Sequence, residues 1–139
     1  MIVLDTNVVS EPMRPHGSPA VQAWLDRQVA ETLYLTATSL SELLVGIDIL
    51  PSGRRKKNLG VALRELMGLL FGSRILPFDQ AAAIAYASMV GRARTAGRAI
   101  SVADGQIAAI AATHGFIVAT RDTEPFVAAG VAVVNPWEE

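Results

Sequence analysis

A chain of 139 residues is the length of one domain, enough to bury a single real core. Apolar residues make up 51% and charged residues 18%, which excludes a disordered chain and suits a sheet buried on both faces. The absence of cysteine excludes disulfides, thiolate zinc sites and cysteine nucleophiles together, and a net charge of −1 argues against a constitutively basic nucleic-acid binder.

In chain order, Met1 runs straight into a strand with no basic leader, and no stretch approaches the ~20 apolar residues of a membrane span. A soluble, cytoplasmic protein is expected. Ile2 to Asp5 reads as a strand, and Asn7 to Arg14 as a short helix broken near Pro12 and Pro15. After Ser18, the residues Val21, Trp24, Leu25 and Val29 recur at helical spacing, with Pro19 at the first helical position and Trp24 in the core. Leu33 to Thr36 is a strand; a helix from about Ser39 to Leu50 follows and is stopped by Pro51, Ser52 and Gly53. Arg55 to Phe71 forms the next helix, Ile75 to Phe78 a short strand, and Gln80 to Ala96 an alanine-rich helix ended by Gly97. A helix from Val102 to His114 stops at Gly115, followed by strands at Phe116 to Thr120 and Val131 to Val134. Strands separated by helices predict an α/β fold: one domain over residues 1–139, with a doubly wound, mainly parallel sheet flanked by helices.

The helix around residue 42 is apolar on more than one side. Leu40, Leu43, Leu44 and Ile47 form one stripe, while Val45 and Ile49 lie nearer the Glu42 face. One side faces the core and the other needs a cover, either the next helix with its stripe of Leu59, Leu63, Leu66, Met67 and Leu70, or a second copy of the chain. A homodimer is one expectation.

Asp5, Glu42, Asp104 and Asp122 each stand where a strand ends or a helix begins. Asp5 and Asp122 follow apolar runs, at the carboxyl ends of strands where open α/β sheets bind ligands. Glu42 and Asp104 read as first-turn residues of their helices. Each has a plain structural reading as well. Ser39 with Glu42, and Ser101 with Asp104, have the spacing of capping boxes, and Asp5 and Asp122 suit turns or N-caps. Asp104, however, shares a helix face with Ile107, Ala108 and Ala111 and so points toward the sheet, where a charge needs a partner. All four acids fall at the same end of their elements, which favours one joint site: an acidic pocket that repulsion makes costly without a cation, with oxygen ligands suited to Mg²⁺ or Mn²⁺.

Other chemistries are poorly supplied. Neither His16, in a Pro/Gly loop, nor His114, at a helix end, has an evident acid/base partner. No phosphate-binding glycine loop or dinucleotide fingerprint is present. A phosphoacceptor receiver domain also carries acids on a doubly wound sheet but wants a lysine at a late strand end, whereas both lysines here are Lys56 and Lys57. The basic runs Arg54 to Lys57 and Arg92, Arg94, Arg98 either follow a phosphate backbone or are solvated helix termini.

The segments Ile2 to Asn7, Ser41-Glu42-Leu43, Ala103-Asp104 and Ala119-Thr120-Arg121-Asp122, in this order and spacing, resemble the PIN-domain nucleases, specifically toxins of the VapC type, over nearly the whole chain. Thr6 to Pro12, Arg74 to Asp79 and Asn135-Pro136-Trp137 further resemble the FitB branch. The resemblance implies a metal-dependent endoribonuclease, the toxin of a type II toxin–antitoxin pair, silenced by a DNA-binding antitoxin through which alone it meets operator DNA. It also implies that Asp5, Glu42, Asp104 and Asp122 form the acidic quartet around Mg²⁺ or Mn²⁺, that Thr120 hydrogen-bonds a ligating carboxylate, and that Glu124 stands near the place of a further acid in some relatives. Asp5, Asp104 and Asp122 are then expected to hold the metal and Glu42 to ligate through water or orient the nucleophile. The alternative is a non-catalytic subunit of a DNA-bound repressor complex.

Overall fold

Val3 and Leu4 are neighbours in one strand, so their side chains leave it on opposite faces, and both are at most 1% exposed. The strand must therefore be covered on both sides. In the computed structural model, which describes Met1–Glu139, this strand is β1 (Ile2–Leu4), the centre of a five-stranded sheet ordered β3-β2-β1-β4-β5 in which every pairing is parallel. The other strands are β2 (Leu33–Thr36), β3 (Ile75–Leu76), β4 (Ile117–Ala119) and β5 (Val133–Val134).

From β1 the chain travels outward to β2 and β3 through α1 (Thr6–Ser10), α2 (Pro19–Asp26), α3 (Ala37–Asp48) and α4 (Arg54–Glu65). It then returns past β1 to β4 through α5 (Gln80–Thr95) and α6 (Val102–His114), and reaches β5 through α7 (Glu124–Ala128). Parallel crossovers are right-handed, so reversing the direction of travel moves the helices to the other face. Two cores result. Leu4, Leu35 and Ala119 pack with Val8, Trp24, Leu43, Leu63 and Phe71, whereas Val3 and Val118 pack with Ile107, Ala108, Ile110 and Phe126. The doubly wound sheet read from the sequence is the one found, and Trp24 is buried as expected.

Several boundaries differ from the sequence reading, each for a local reason. The Asn7–Arg14 helix is two pieces: α1, capped by Asp5, and a 3-10 turn over Glu11–Met13 that begins where Pro12 cannot donate. Glu11 is buried because its Oε1 accepts from the Ser18 backbone N at 2.9 Å, tying the turn to the start of α2. The α3 helix begins at Ala37, not Ser39: the Thr36 hydroxyl accepts from the Ser39 N at 3.0 Å, so Thr36 is the N-cap and the expected Ser39–Glu42 capping box does not form. Glu42 consequently stands in the second turn. The long helix from Arg54 ends in a wide π turn over Leu66–Phe71, closed at Gly72, whose φ of 51° is left-handed. Helix α7 has no counterpart in the sequence reading; it is a short helix with Pro125 at a first-turn position, where a missing N–H costs nothing. Strands β3 and β5 keep only two paired residues each, since they are the edges.

Helix α4 packs on α3 and Lys56 Nζ donates to the Asp48 carbonyl, which provides the internal cover. It is incomplete: Leu44, Val45 and Ile49 remain exposed. On the opposite face α5 and α6 come together at Gly105, where a Cβ would lie 2.7 Å from the Tyr86 ring. Gly105 follows Asp104, so the close approach of the two helices also sets the depth of that carboxylate. Gly105→Ala is expected to cost roughly 1–3 kcal/mol through overpacking and to lower the melting temperature by several degrees in a thermal scan. Gly91→Ala, at an open, exposed position inside α5, should instead raise the melting temperature by a few degrees, because alanine is favoured over glycine in a helix interior by about 0.5–1 kcal/mol.

Candidate active site

The strand order reverses at β1, which has β2 on one side and β4 on the other. Beyond the carboxyl ends of β1 and β4 the outgoing segments diverge to opposite faces, and a crevice opens at this switch point. Asp5 stands at its floor. Its backbone N donates to the Ala119 carbonyl at 2.9 Å, continuing the β1–β4 ladder one residue past the strand and fixing Asp5 beside Thr120.

Both Asp5 carboxylate oxygens are held. Oδ1 accepts from the Thr6 backbone N at 2.8 Å, the N-cap of α1, and Oδ2 accepts from the Thr120 hydroxyl at 2.8 Å. The Thr120 hydroxyl is wholly buried; it accepts in turn from the Asp122 backbone N at 3.1 Å and from Asn7 Nδ2 at 3.5 Å. The Thr6 hydroxyl donates to Glu42 Oε1 at 2.8 Å and draws that side chain from α3 toward the end of β1. Asp104 is presented by the start of α6, where the Ser101 hydroxyl accepts from its backbone N at 3.1 Å, so the cap expected at Ser101 is present. Asp122 is no cap: α7 starts after Thr123, and the Asp122 carboxylate receives no hydrogen bond from the chain.

These residues enclose a cavity of about 310 Å³ lined by Asp5, Glu42, Asp104, Asp122, Thr6, Asn7 and Ser10, with no apolar side chain among them. All four acids singled out in the sequence therefore meet at one place. Glu124 does not join them; it lines a neighbouring recess with Asp122 and Arg98. On the Glu42 side, Thr6, Ser10 and Glu42 also border a recess that holds Arg55 and Leu59, and Met13 and Leu59 carry on into a larger apolar hollow of about 580 Å³ between α1 and α4. His114 lies elsewhere, stacked on Phe116 at 5.3 Å.

No cation offsets the acids. The chain has a single ion pair, Arg14 with Glu11 at 3.6 Å, and it involves none of the four. Burial pushes the Asp5 carboxyl up to about 6; the hydrogen bonds from Thr120 and Thr6 pull the other way, and the charges of Asp104 and Glu42 push it further up. Asp104 is also raised, first by burial, against the opposing Ser101 contact and with the help of Asp122. The donor set is all oxygen, which fits a hard divalent cation. No three of these side chains close on a single point, so in this structure they ring the cavity and leave room for a cation that keeps several of its waters.

The sequence reading did not assign structural work to Thr6, Asn7 and Ser10. Their signal was visible: Asp5-Thr6-Asn7 puts a hydroxyl and an amide directly after a strand-end acid. What these groups reach, Glu42 and Thr120, lies 36 and 113 residues away and is not legible in one dimension.

The chain is a single α/β domain with a parallel sheet and an acid-lined crevice at its switch point. The PIN domain model matches residues 2–131. The chain is 50% identical to a VapC ribonuclease of Sinorhizobium fredii, over 99% of each chain, and 48% identical to toxin FitB of Neisseria gonorrhoeae over the full length of both. Its fold superposes on a solved structure of FitAB bound to a DNA fragment with a TM-score of 0.94 at 47% identity, covering 99% of this chain and 96% of the other. This chain belongs to the PIN-domain family, in its VapC/FitB toxin group.

The raised Asp5 gives a pH signature. A carboxyl whose folded pKa lies above its unfolded value of 3.8 leaves stability intact below that value and removes it as pH rises through about 6. In chelator-treated protein, unfolding free energy from denaturant titrations should fall by up to about 3 kcal/mol from this group between about pH 4 and about pH 7. Asp5→Asn should flatten most of that slope.

Proposed function

We propose that this chain is a divalent-metal-dependent endoribonuclease, the toxin of a type II toxin–antitoxin pair, acting in the cytoplasm. The observation that carries the reading is the ring of four carboxylates around one cavity with no cation of the protein's own. Asp5, Asp104 and Asp122 are the residues proposed to hold Mg²⁺ or Mn²⁺, directly or through its waters. When bound, such an ion supplies a more acidic water and offsets charge growing on phosphorus.

The chain's own groups do the positioning. The Thr6 N and Thr120 hydroxyl fix the orientation of Asp5, so its remaining lone pairs face the cavity. Glu42, tethered by the Thr6 hydroxyl, has its second oxygen available to orient the attacking water. Water attacks phosphorus in line, a new P–O bond forms as the bond to the 3′ oxygen breaks, and the products are a 5′-phosphate and a 3′-hydroxyl.

Silencing by an antitoxin follows the same chemistry. An arginine, whose fork matches carboxylates in two hydrogen bonds, is the natural complement of Asp5, Glu42, Asp104 and Asp122. The apolar hollow beside α4, continuous through Met13 and Leu59 with the recess at Glu42, gives an apolar stretch of the same antitoxin segment a place to lie. The solved FitAB structure is described as bound to DNA; for this chain we propose operator contact only through the antitoxin. Assembly as a homodimer, or as a dimer of toxin–antitoxin pairs, would cover the exposed Leu44, Val45 and Ile49.

The decisive experiment uses chain purified free of any partner. Millimolar Mn²⁺ should raise its melting temperature, Asp5→Asn should blunt that rise, and a panel of RNAs should be cut only when Mg²⁺ or Mn²⁺ is added. Alanine at Asp5, Asp104 or Asp122 is expected to lower the cleavage rate at least about 100-fold with folding retained by circular dichroism, and at Glu42 somewhat less. Cation-independent melting and no cleavage would favour the repressor-subunit alternative. In the copurified complex, changing the plugging arginine to alanine should restore cleavage at saturating Mg²⁺ with the complex still assembled. Continued inhibition would show that steric cover of the groove does the silencing.

A further inference from the structure

Arg121 stands between Thr120 and Asp122, two residues of the site, yet its own side chain has no part in it. Its backbone N donates to Asn7 Oδ1 at 3.4 Å, which puts its Cα on the lip of the acidic cavity. An exposed arginine beside an uncompensated group of carboxylates should swing in and pair with one of them. It does not: no acid lies within ion-pair distance, and the guanidinium sits over the Trp137 ring, 5.3 Å from its centroid.

The Trp137 ring is itself held in place. Its backbone N donates to Asn135 Oδ1 at 3.0 Å, Pro136 is buried, and the indole packs against the core that contains Leu4 and Ala119. The tail segment Asn135-Pro136-Trp137 thus presents an aromatic face at the rim. A guanidinium stacked on such a face loses little of its hydrogen-bonding capacity, because the N–H groups lie in the plane of the fork and remain free at its edge.

We propose that Arg121, held on the face of Trp137, binds an RNA phosphate adjacent to the scissile one, and that Trp137 is a positioning residue that keeps this cation on the rim and out of the metal cavity. The inference rests on the ribonuclease reading and deepens it. Two needs are met together. A nuclease whose site is acidic repels the polyanion it must bind, so a cation close to the cavity is required for capture. A cation inside the cavity would compete with the metal. Stacking on Trp137 separates the two positions by holding one side chain aside.

The test is binding of a mixed-sequence single-stranded RNA by fluorescence anisotropy, with Ca²⁺ replacing Mg²⁺, over a series of salt concentrations. Arg121→Gln should weaken binding roughly tenfold at low salt and make the slope of log K against log salt shallower by about 0.7, the value for one phosphate contact on a single strand. Trp137→Phe should behave as the native chain, whereas Trp137→Leu, which keeps the charge and loses the ring face, should weaken binding and retain the native slope. The Mn²⁺-induced rise in melting temperature should be unchanged in Arg121→Gln and Trp137→Phe and smaller in Trp137→Leu, where the released Arg121 can enter the metal cavity; an undiminished rise in Trp137→Leu would overturn the positioning role. Native affinity and slope in Arg121→Gln, with only a lowered melting temperature, would overturn the proposal and leave the stack as an anchor for the tail. A weakened Arg121→Gln with an unchanged slope would also overturn it. A native chain that binds no RNA at all would overturn the ribonuclease reading together with this one, and that result is distinguished because it appears before any substitution is made.

Discussion

The pairing of β1 with β4 is the constraint on which the site depends. Through it the Asp5 amide reaches the Ala119 carbonyl, and two segments more than a hundred residues apart end at the same height. From that one register, Thr120 falls beside Asp5 and Asp122 lies just past the lip. A slip of one residue would turn Thr120 to the other face of the sheet and leave the Asp5 carboxylate buried without its hydroxyl partner. The two cores enforce the register, because Val3 with Val118 and Leu4 with Ala119 each have to enter the correct one.

Within the crevice, order is imposed by neutral donors. Thr6, Thr120 and Asn7 orient the carboxylates and their neighbours without contributing charge, so the acids are fixed in direction while their repulsion remains. Cationic partners would have stabilised the fold and taken the place of the divalent cation proposed above. The chain does keep basic side chains near by. Arg98 and Arg55 line the recesses on either side, and Arg121 is held on Trp137, but none pairs with the four acids.

The structural and functional readings of the individual acids turn out not to compete in the simple way the sequence posed them. Asp5 is a helix N-cap and also the floor of the cavity, since capping uses only Oδ1 and leaves other lone pairs free. Asp104 follows a serine cap whose hydroxyl secures its backbone, and Gly105 then lets the whole helix sit close against α5. Local devices that begin helices are thereby reused to aim side chains. Glu42 is the exception: its capping role disappears once Thr36 takes the cap, and its direction comes from Thr6 on another element.

The sequence by itself determined the alternation of strands and helices, the parallel class of the sheet, the identity of the four acids and, for Asp5, Asp104 and Asp122 but not for Glu42, their place beside the ends of elements. Those features are written in local signals: apolar runs, helical periodicity and the residues that begin and end helices. Only the tertiary structure decided that β1 is central, that the reversal of strand order falls between β1 and β4, and that a hydroxyl at residue 6 governs a carboxylate at residue 42. It also decided which serines and threonines cap, making Thr36 and not Ser39 the N-cap of α3, and it added α7, a five-residue helix between β4 and β5. The physical reason is common to all of these. Strand order, cap choice and side-chain pairing depend on which residues the closing of two cores brings together, and that is a property of the packed chain as a whole, to which a local window of sequence is blind.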